Sequence, residues 1–312
     1  MGKVAFLFAG QGAQHPGMCA DLIEAEPAAK AVFATVDAVR PGTTEQCLTG
    51  TKEELAQTAN TQPCVFAADL AAARALAAHG VTPDVVAGFS LGEVAALTFA
   101  GAYGDEQGFE LVCHRAELMA DAAEKNPGAM RAVVKLDAST VERLAGEAGE
   151  QCWPVNYNSP LQTVVAGTPE ACEKLDALVK EAGGRAMKVA VSGAFHSPFM
   201  AEAERGLAVY LADGHAPAEP GVPVLANRTA EPYPADEATR VELLSSQVAN
   251  PVQWVRTLEA MAAMGVDTFV EVGPGKTLTG LVKRTLEGVT ALPCETVEQL
   301  QAVLAELSKE GE

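Results

Sequence analysis

The sequence predicts an α/β protein in which a parallel-sheet domain, formed by both ends of the chain, is interrupted by a ferredoxin-like insert. Three observations predict this fold. Short apolar runs typical of buried strands alternate with longer helical stretches towards both ends of the chain. Between about residues 129 and 191 the predicted order changes to βαββαβ. One predicted strand runs directly into a glycine-flanked serine that is followed by a helix.

The N-terminal part of the predicted core alternates apolar strands with helices whose ends carry recognisable signals. Pro27 is typical of a first helical position, and Thr51 with Glu54 matches a capping box. Gly80 is expected to end a helix, because glycine is common directly after a helix C-terminus. The predicted elements are strands at 3–9 and 84–87, and helices beginning at 27 and near 51, at 63–79, at about 91–99 and at about 105–124.

The middle of the chain predicts a separate unit. Strands are expected at 129–136, 153–157, 162–166 and 185–191, with helices at 139–148 and 170–182. This order is the signature of a ferredoxin-like unit. After it, helices alternate with strands at 222–226, 268–272 and 289–293. We therefore predict a core formed by residues 1–127 and 194–312, and an insert formed by residues 128–193.

The composition is that of a globular protein with a strong negative charge. Of the 312 residues, 22 are Lys or Arg and 41 are Asp or Glu, which gives a formal net charge of −19. This charge argues against nucleic acid and anionic membrane as partners, and an acidic protein partner would require a local basic patch. The N-terminal apolar run is too short for a signal peptide, and no run approaches the roughly 20 apolar residues of a membrane span. We therefore expect a cytoplasmic protein.

The cysteines predict neither a disulfide framework nor a metal site. All seven are scattered along the chain, and no two form a C-x-x-C pair. An odd and dispersed set fits buried thiols in a reducing cytoplasm better than it fits disulfide bonds or zinc ligands.

A serine between two glycines is the strongest candidate for chemistry. Residues 88–92 fit the G-x-S-x-G pattern, between a predicted strand and a predicted helix. At such a turn the Ser90 hydroxyl is exposed at the positive end of the following helix, which favours a nucleophile. A plain turn is the alternative. An acyl group on Ser90 could pass to water, as in a hydrolase, or to a second thiol, as in a transferase.

A nucleophilic serine requires a base, and His196 is the best-placed histidine. It stands at the exit of the predicted insert, directly before a predicted helix, and is therefore expected to face a cleft between the two units. A capping or structural histidine is the alternative. We expect His79 and His215 on the surface and His114 inside a helix.

Two glycine-rich segments resemble phosphate-binding loops without fitting their patterns. The segment AGQGAQ at 9–14 is followed by His15, where G-x-G-x-x-G requires its third glycine. The segment GPGKTLTG at 273–280 has Val270 where a P-loop requires its first glycine. A tight turn is the alternative for both. For the loop at 9–14, binding of an oxyanion is equally consistent with its position after the first strand.

Nine segments together resemble the malonyl-CoA:acyl carrier protein transacylase family, in the family's order and over nearly the whole chain. They are FAGQGAQHPGM, TQPCVFAADLA, GFSLGE, HRAELM, PGAM, VNYNSPLQTVVAG, SGAFHSPFM, NPVQW and EVGPGKTLTGL. The resemblance implies an α/β-hydrolase-like parallel-sheet core with a ferredoxin-like insert and an active site between them. It also implies transfer of a malonyl group from malonyl-CoA to the phosphopantetheine thiol of holo acyl carrier protein. No metal or cofactor is expected, and we expect a monomer.

The resemblance also implies roles for individual residues. Ser90 corresponds to the acylated nucleophile, His196 to its base, and Arg115 to the arginine that holds the malonyl carboxylate. The backbone N–H groups of Gln11 and Leu91 correspond to the oxyanion hole. The supporting residues are Gln247, whose backbone carbonyl would orient the histidine, and Asn156, near the pocket.

Arg115 is the residue that best separates the possible functions. Its planar fork can hold a carboxylate with two hydrogen bonds, which favours a dicarboxylic half-ester over a neutral ester, whereas a surface ion pair is the alternative. The rival hypotheses are a trans-acting acyltransferase of polyketide synthesis, a serine thioesterase or esterase with an Asp or Glu bonded to the histidine, and a non-catalytic carrier-binding scaffold.

The candidates for docking an acidic carrier are Lys276, Lys283 and Arg284, for which a solvated helix face is the alternative.

Two positions depart from the family's pattern. Many members carry histidine where this chain has Phe89, and small residues are common at the position of Arg131. Phe89 removes a polar group beside the nucleophile, but the roles described above do not require that group. We expect Arg131 to lie on a solvated face.

Overall fold

The computed structural model describes residues 2–191 and 193–309. Within this part of the chain the strands are β1 (Lys3–Phe8), β2 (Val85–Gly88), β3 (Ala129–Val134), β4 (Cys152–Ser159), β5 (Gln162–Gly167), β6 (Arg185–Lys188), β7 (Val224–Leu225), β8 (Val266–Val272) and β9 (Thr290–Cys294). The α-helices are α1 (Ala20–Ala25), α2 (Pro27–Val39), α3 (Thr43–Thr49), α4 (Lys52–Leu55), α5 (Thr58–Ala78), α6 (Gly92–Phe99), α7 (Asp105–Lys125), α8 (Ala138–Ala148), α9 (Pro169–Glu181), α10 (Ala201–Tyr210), α11 (Glu237–Ser246), α12 (Trp254–Ala263), α13 (Thr277–Thr285) and α14 (Val297–Lys309).

Three shorter helical segments complete the described secondary structure. They are 3₁₀ turns at Pro198–Met200 and Gln247–Ala249, and a wide helical turn at Leu211–His215. Among the helices of the described ranges, none combines the length and the apolar character that crossing a membrane requires.

Five strands form a parallel sheet in the order β7-β2-β1-β8-β9. The central strand is β1, in which Phe8 is paired both with Gly88 of β2 and with Val272 of β8. The segments that follow these three strands therefore leave the sheet at the same carboxyl-terminal edge. Ligands of parallel α/β sheets bind at this edge, and Ser90 lies there because it comes two residues after the end of β2.

The other four strands form an antiparallel sheet in the order β4-β5-β3-β6. Helices α8 and α9 pack on one face of this sheet. Along the chain the strands and helices of this unit follow one another in the order βαββαβ. The predicted α/β class, with a parallel sheet and a separate sheet of this order, is confirmed. The boundaries of the insert at 128 and 193 stay a prediction. Residues 1, 192 and 310–312 of the predicted units lie outside the described residues.

The parallel sheet is buried on both faces, which explains why its strands are recognisable as uniformly apolar runs. Alternate side chains of β1 point to opposite faces. On one face Phe6 and Phe8 contact the ring of Phe99, with centroids 5.6 and 5.7 Å apart. On the other face Ala5 and Leu7 belong to a separate apolar cluster that includes Trp254 of α12.

Several predicted element boundaries are wrong, and the differences at α5 and β7 have a physical reason. Helix α5 begins at Thr58 and contains Pro63, which sequence reasoning takes as the start. Proline in the second turn leaves only the carbonyl of residue 59 without its helical donor, so the helix can extend past it towards the N-terminus. Strand β7 spans only Val224–Leu225, because it lies at the edge of the sheet and pairs with β2 over two residues.

The prediction that Arg131 lies on a solvated face is wrong. Its side chain is buried, and its Nε donates to both carboxylate oxygens of Asp176 on α9, at 2.8 and 3.0 Å. Along β3 the neighbours Met130 and Ala132 point to the opposite face, where they line a cavity. Arg131 therefore ties the sheet of the insert to its covering helix and does not contact the cavity.

Candidate active site

Ser90 occupies a sharp turn between β2 and α6. Its φ is 56°, in the left-handed region that residues with a side chain seldom adopt. A Cβ on Gly88 would lie 1.9 Å from the carbonyl carbon of Gly92, and a Cβ on Gly92 would lie 2.4 Å from the carbonyl oxygen of Phe8. Both flanking positions therefore require glycine for steric reasons. The turn that results presents the Ser90 side chain to a cavity.

The structure brings Ser90 and His196 together, although they are 106 residues apart. The Ser90 Oγ lies 2.7 Å from the His196 Nε2. His196 is buried and has a φ of 60°, so its backbone is also held in the left-handed region. Its backbone N–H donates to the carbonyl of Val248 at 2.9 Å, which anchors the residue to the 3₁₀ turn after α11. The pair has the geometry of a nucleophile and its general base.

Two backbone carbonyls fix the orientation of the His196 ring. The Nδ1 lies 3.0 Å from the Gln247 oxygen and 3.2 Å from the Asn250 oxygen. Because carbonyl oxygens can only accept, Nδ1 must carry the proton and Nε2 presents its lone pair to Ser90. Burial, together with the positive charge of Arg115, lowers the pKa of His196 to about 4. The imidazole is therefore neutral at neutral pH and able to accept a proton.

Arg115 projects from α7 towards the nucleophile and is almost fully buried. Its Nη2 donates to the Gln247 Oε1 at 2.7 Å and to the Ser90 Oγ at 3.3 Å, and its Nη1 donates to the Gln62 Oε1. The Nε has no hydrogen-bond partner among the described residues. Burial lowers the pKa of the guanidinium to about 10, partly offset by the charge of Glu93. A full positive charge thus lies beside Ser90 at neutral pH.

A buried polar cluster lies beneath the serine, and Gln247 is its only member here that the sequence predicts. The Asn227 Oδ1 accepts from the Ser90 backbone N–H at 2.7 Å, and the Gln247 Nε2 donates to the Ser90 carbonyl at 2.7 Å. Glu93 accepts from the Gln247 Nε2 at 3.0 Å, from the Asn227 N–H at 3.0 Å and from the Tyr233 hydroxyl. Burial raises the pKa of Glu93. These bonds hold both ends of the strained serine peptide.

The predicted oxyanion-binding residues come from two different segments at the carboxyl-terminal edge of the parallel sheet. Gln11 belongs to the loop after β1, and Leu91 is the first residue after the nucleophile, at the N-terminus of α6. Both line the same cavity as Ser90. The amides of a first helical turn have no partner within the helix and are available to an anion. Gly10 allows the loop to approach, since a Cβ there would lie 2.7 Å from the Phe89 carbonyl oxygen.

The cavity has a volume of about 260 Å³ and lies between the two sheets. Its floor contains Ser90, His196 and Arg115, and its opposite wall is formed by the antiparallel sheet and by α13. The wall residues from the insert are mainly apolar, and they are Met130, Ala132, Val164, Val189 and Val191 with the polar residues Asn156, Asn158 and Gln162. The site therefore combines the charge of Arg115 beside the serine with a mainly apolar wall on the opposite side.

Asn156 is placed in this wall, as the sequence predicts, but the structure gives its side chain no specific task. It lies on β4 and forms an isolated parallel bridge with Val252. Asn158, two residues along, lines the cavity too, and its Oδ1 is buried without a partner in the described part of the chain.

Phe89 packs edge-on against Trp254 with ring centroids 5.2 Å apart, which gives it an apolar packing role.

The predicted docking residues and the other histidines are not among the residues that line the cavity. Lys276, Lys283 and Arg284 are exposed on or beside α13, and Arg284 donates to the Gln162 Oε1 at 3.4 Å near the cavity. The other histidines have partners elsewhere: His15 with Glu295, His79 with Glu26, and His114 and His215 with the ring of Tyr210. Within residues 2–191 and 193–309, no group of three or more His, Cys, Asp or Glu could hold a metal ion.

Comparison with known proteins identifies relatives over the whole length of the chain. Residues 5–306 match the acyl transferase domain family. A malonyl CoA-acyl carrier protein transacylase from Escherichia coli O157:H7 is 40% identical over 97% of this chain and 99% of its own. The crystal structure of a malonyl CoA-acyl carrier protein transacylase from Clostridium perfringens superposes with a TM-score of 0.94, at 35% identity, over 99% of this chain and 98% of its own.

A further solved structure contains a carrier. It is a malonyl-transacylase in complex with its type II PKS acyl-carrier protein in the holo form. It superposes with a TM-score of 0.93, at 36% identity, over 97% of this chain and 99% of that chain.

The steric requirement at the serine turn generates a testable prediction. Gly92→Ala should lower the free energy of unfolding by about 1–3 kcal/mol, because its Cβ has no space beside Phe8. The matched control is Gly146→Ala, at an exposed position of α8 with no atom within 4 Å of the added Cβ. This control should stabilise the protein by about 0.5–1 kcal/mol, because alanine favours a helix interior. Urea unfolding of both variants is the measurement, and equal midpoints would contradict the prediction.

Proposed function

The chain belongs to the malonyl-CoA:acyl carrier protein transacylase family, and from this premise we propose that it moves a malonyl group from malonyl-CoA to the phosphopantetheine thiol of a holo acyl carrier protein through an acyl-enzyme on Ser90. The observation that carries the proposal is the position of a buried arginine beside a paired serine and histidine. The Arg115 Nη2 lies 3.3 Å from the Ser90 Oγ. In a malonyl ester the free carboxylate is two bonds beyond the carbonyl carbon that Oγ binds, within reach of this guanidinium.

In the first half-reaction the Ser90 Oγ attacks the thioester carbonyl of malonyl-CoA. The His196 Nε2 takes the hydroxyl proton as the Oγ–C bond forms. The backbone N–H groups of Gln11 and Leu91 bind the oxyanion of the tetrahedral intermediate. When this intermediate collapses, the C–S bond breaks, and His196 returns the proton to the leaving sulfur of CoA. The product is malonyl-Ser90.

In the second half-reaction a carrier thiol replaces CoA in the same cavity. His196 takes the thiol proton, and the sulfur attacks the ester carbonyl of malonyl-Ser90. The oxyanion occupies the same N–H groups, the C–Oγ bond breaks, and the proton returns to Ser90. The two steps are mirror images, so one histidine of lowered pKa serves both. All groups required are side chains and amides of the chain, and we propose that the reaction uses no cofactor.

The geometry at the histidine favours transfer over a thioesterase or esterase. Those hypotheses expect a carboxylate bonded to His196, whereas both Nδ1 acceptors are neutral backbone carbonyls. A neutral acceptor fixes the tautomer but stabilises the imidazolium less than a carboxylate would. A non-catalytic scaffold, the third hypothesis, would have no reason to keep a strained serine 2.7 Å from a buried histidine.

A second candidate acceptor is the carrier of a polyketide pathway. One of the similar structures is bound to a type II PKS acyl-carrier protein. A polyketide biosynthesis protein from Burkholderia thailandensis is 36% identical over 90% of this chain and 24% of its own length. The chemistry at Ser90 is the same for both acceptors. The kcat/KM for a fatty-acid carrier and for a polyketide carrier, compared at equal salt, distinguishes the two.

Carrier docking is proposed at the basic residues beside the cavity. Lys276, Lys283 and Arg284 are exposed on or beside α13, a helix that lines the cavity, and Arg284 contacts Gln162 of the cavity wall, which supports the proposal. An acidic carrier approaching a protein of net charge −19 is repelled at long range, so it requires such a local patch. The enzyme is proposed to act as a monomer.

The acyl-enzyme is tested by intact-protein mass spectrometry. Wild type mixed with malonyl-CoA should show a persistent adduct of malonyl mass, and Ser90→Ala should show none. The control is Ser139→Ala, on the remote helix α8, which should be loaded like wild type. An undiminished adduct on Ser90→Ala would contradict the assignment. A transient adduct with release of free malonate would indicate a hydrolase, and no adduct on any variant would indicate a scaffold.

The lowered pKa of His196 predicts the pH dependence of loading. A base whose pKa is lowered stays deprotonated to lower pH, so kcat/KM should remain constant from neutral pH down towards pH 5. It should fall about tenfold per pH unit only below a midpoint near 4. Loading rates measured in brief acid pulses, with recovery of full activity at pH 7 as the folding control, give the midpoint. A midpoint near 6.5, the ordinary value for histidine, would contradict this account.

The docking patch is tested by charge reversal. Changing Lys276, Lys283 and Arg284 to Glu should raise the KM for carrier at least about tenfold at low salt, and added salt should reduce the difference. The KM for malonyl-CoA should change less. The matched control reverses three exposed basic residues on the outer helices of the insert, Arg143, Lys174 and Lys180. The proposal fails if both triple variants have the same KM for carrier.

A further inference from the structure

A chain of side-chain hydrogen bonds connects Arg115 with the loop that carries Gln11. The Arg115 Nη1 donates to the Gln62 Oε1. The Gln62 Nε2 donates to the Thr58 Oγ1 at 3.0 Å, and the Thr58 Oγ1 donates to the Gln11 Oε1 at 2.9 Å. Thr58 and Gln62 are both buried on the first turns of α5. The residue proposed to hold the carboxylate and the residue proposed to hold the oxyanion are therefore joined by two intermediate side chains.

Arg115 sets the direction of this hydrogen-bond chain at Gln62. A guanidinium has five donors and no acceptor, so Gln62 must present its carbonyl oxygen to Arg115. The amide nitrogen of Gln62 then faces Thr58, whose hydroxyl accepts there with a lone pair. The single hydroxyl proton of Thr58 is consequently left for the Gln11 Oε1. Arg115 thus determines the orientation of the Gln62 amide, since reversing that amide would oppose two donors, and the observed bonds continue in the same direction to Gln11.

Thr58 is the link between the Gln11 loop and a rigid element. At residues 10–14 the other described hydrogen bonds remain within the loop: the Gly12 N–H donates to the Gln14 Oε1, and the Ala13 N–H donates to the Gly10 carbonyl. Farther along, from residue 15 onwards, the loop forms bonds to other elements. Gly12 has a φ of 109°, a conformation that glycine adopts freely, so the loop is not stiffened at that point. Helix α5, in contrast, is a long helix packed in the core.

We propose that Thr58 is a positioning residue that, through Gln62, ties the oxyanion-binding loop to the carboxylate-binding arginine. The inference rests on the proposed function, since it concerns the placement of the Gln11 N–H during acyl transfer. A misplaced donor weakens binding of the oxyanion in the transition state and leaves ground-state binding of the thioester nearly unchanged. Loss of Thr58 should therefore lower kcat, leave KM almost constant, and affect malonyl and acetyl groups alike.

The test compares three variants by the rate of Ser90 loading at saturating malonyl-CoA and acetyl-CoA. Thr58→Val keeps the shape of the side chain and removes the hydroxyl, and it should slow loading of both substrates about tenfold or more, with KM changed less than about twofold. Thr58→Ser keeps the hydroxyl and should load within about threefold of wild type.

The matched control is Thr61→Val, on the same helix. The Thr61 hydroxyl is equally buried, but it donates to the backbone oxygens of Leu55 and Gln57 and does not join the chain to Gln11. Its loss should lower the melting temperature and leave the loading rate constant nearly unchanged. A merely structural role for Thr58 would give the two valine variants the same pattern.

Three outcomes would overturn the inference while leaving the proposed function intact. They are wild-type loading by Thr58→Val, loading by Thr58→Ser as slow as that of the valine variant, and an equal loss of loading rate in Thr61→Val. Absence of a malonyl adduct on the wild type would overturn both the inference and the proposed function. Circular dichroism of each variant at the assay temperature shows that the compared proteins are folded.

Discussion

The burial of the Arg115 guanidinium is the constraint on which the rest of the site depends. An unpaired charge in a protein interior is costly, so acceptors must satisfy most of its donors. The side-chain oxygens of Gln62 and Gln247 serve this purpose, and Ser90 accepts a third hydrogen bond. Arg115 thereby orients both amides, and its charge helps to lower the pKa of His196. The group proposed to hold the substrate carboxylate therefore also keeps the His196 imidazole neutral.

Gln247 connects the two halves of this arrangement, because its backbone orients the histidine while its side chain touches the arginine, the serine carbonyl and Glu93. The fold supplies these partners from distant parts of the chain. The parallel sheet contributes the serine turn, α7 contributes the arginine, and the segment leaving the antiparallel sheet contributes His196. The antiparallel sheet also covers the site with apolar side chains. Electrostatic interactions within a site so covered are stronger than in water.

The sequence predicts those parts of the site that rest on local sterics or local patterning. The glycines around Ser90 predict the turn because no other residue fits there. The βαββαβ order is predicted by the periodicity of strands and helices. Asn227 and Tyr233 carry no local signal, since they act only through contacts with Ser90 and Glu93 more than 130 residues away. Glu93 has a weak signal, its position directly after the serine pattern. The burial of Arg131 has no local signal either, since its partner Asp176 lies 45 residues away along the chain.

The measurement that tests the account most directly is the selectivity of Arg115→Ala between malonyl-CoA and acetyl-CoA. If the guanidinium binds the substrate carboxylate, its loss should cost about 2–4 kcal/mol in the malonyl transition state, roughly 30- to 1,000-fold in kcat/KM, while acetyl loading stays equal or improves. Arg115→Lys should rescue only part of the loss. Arg240→Ala, which removes another buried arginine bonded to backbone carbonyls, should leave the ratio of the two substrates unchanged. Equal losses for malonyl and acetyl in Arg115→Ala would contradict the account and make this arginine purely structural.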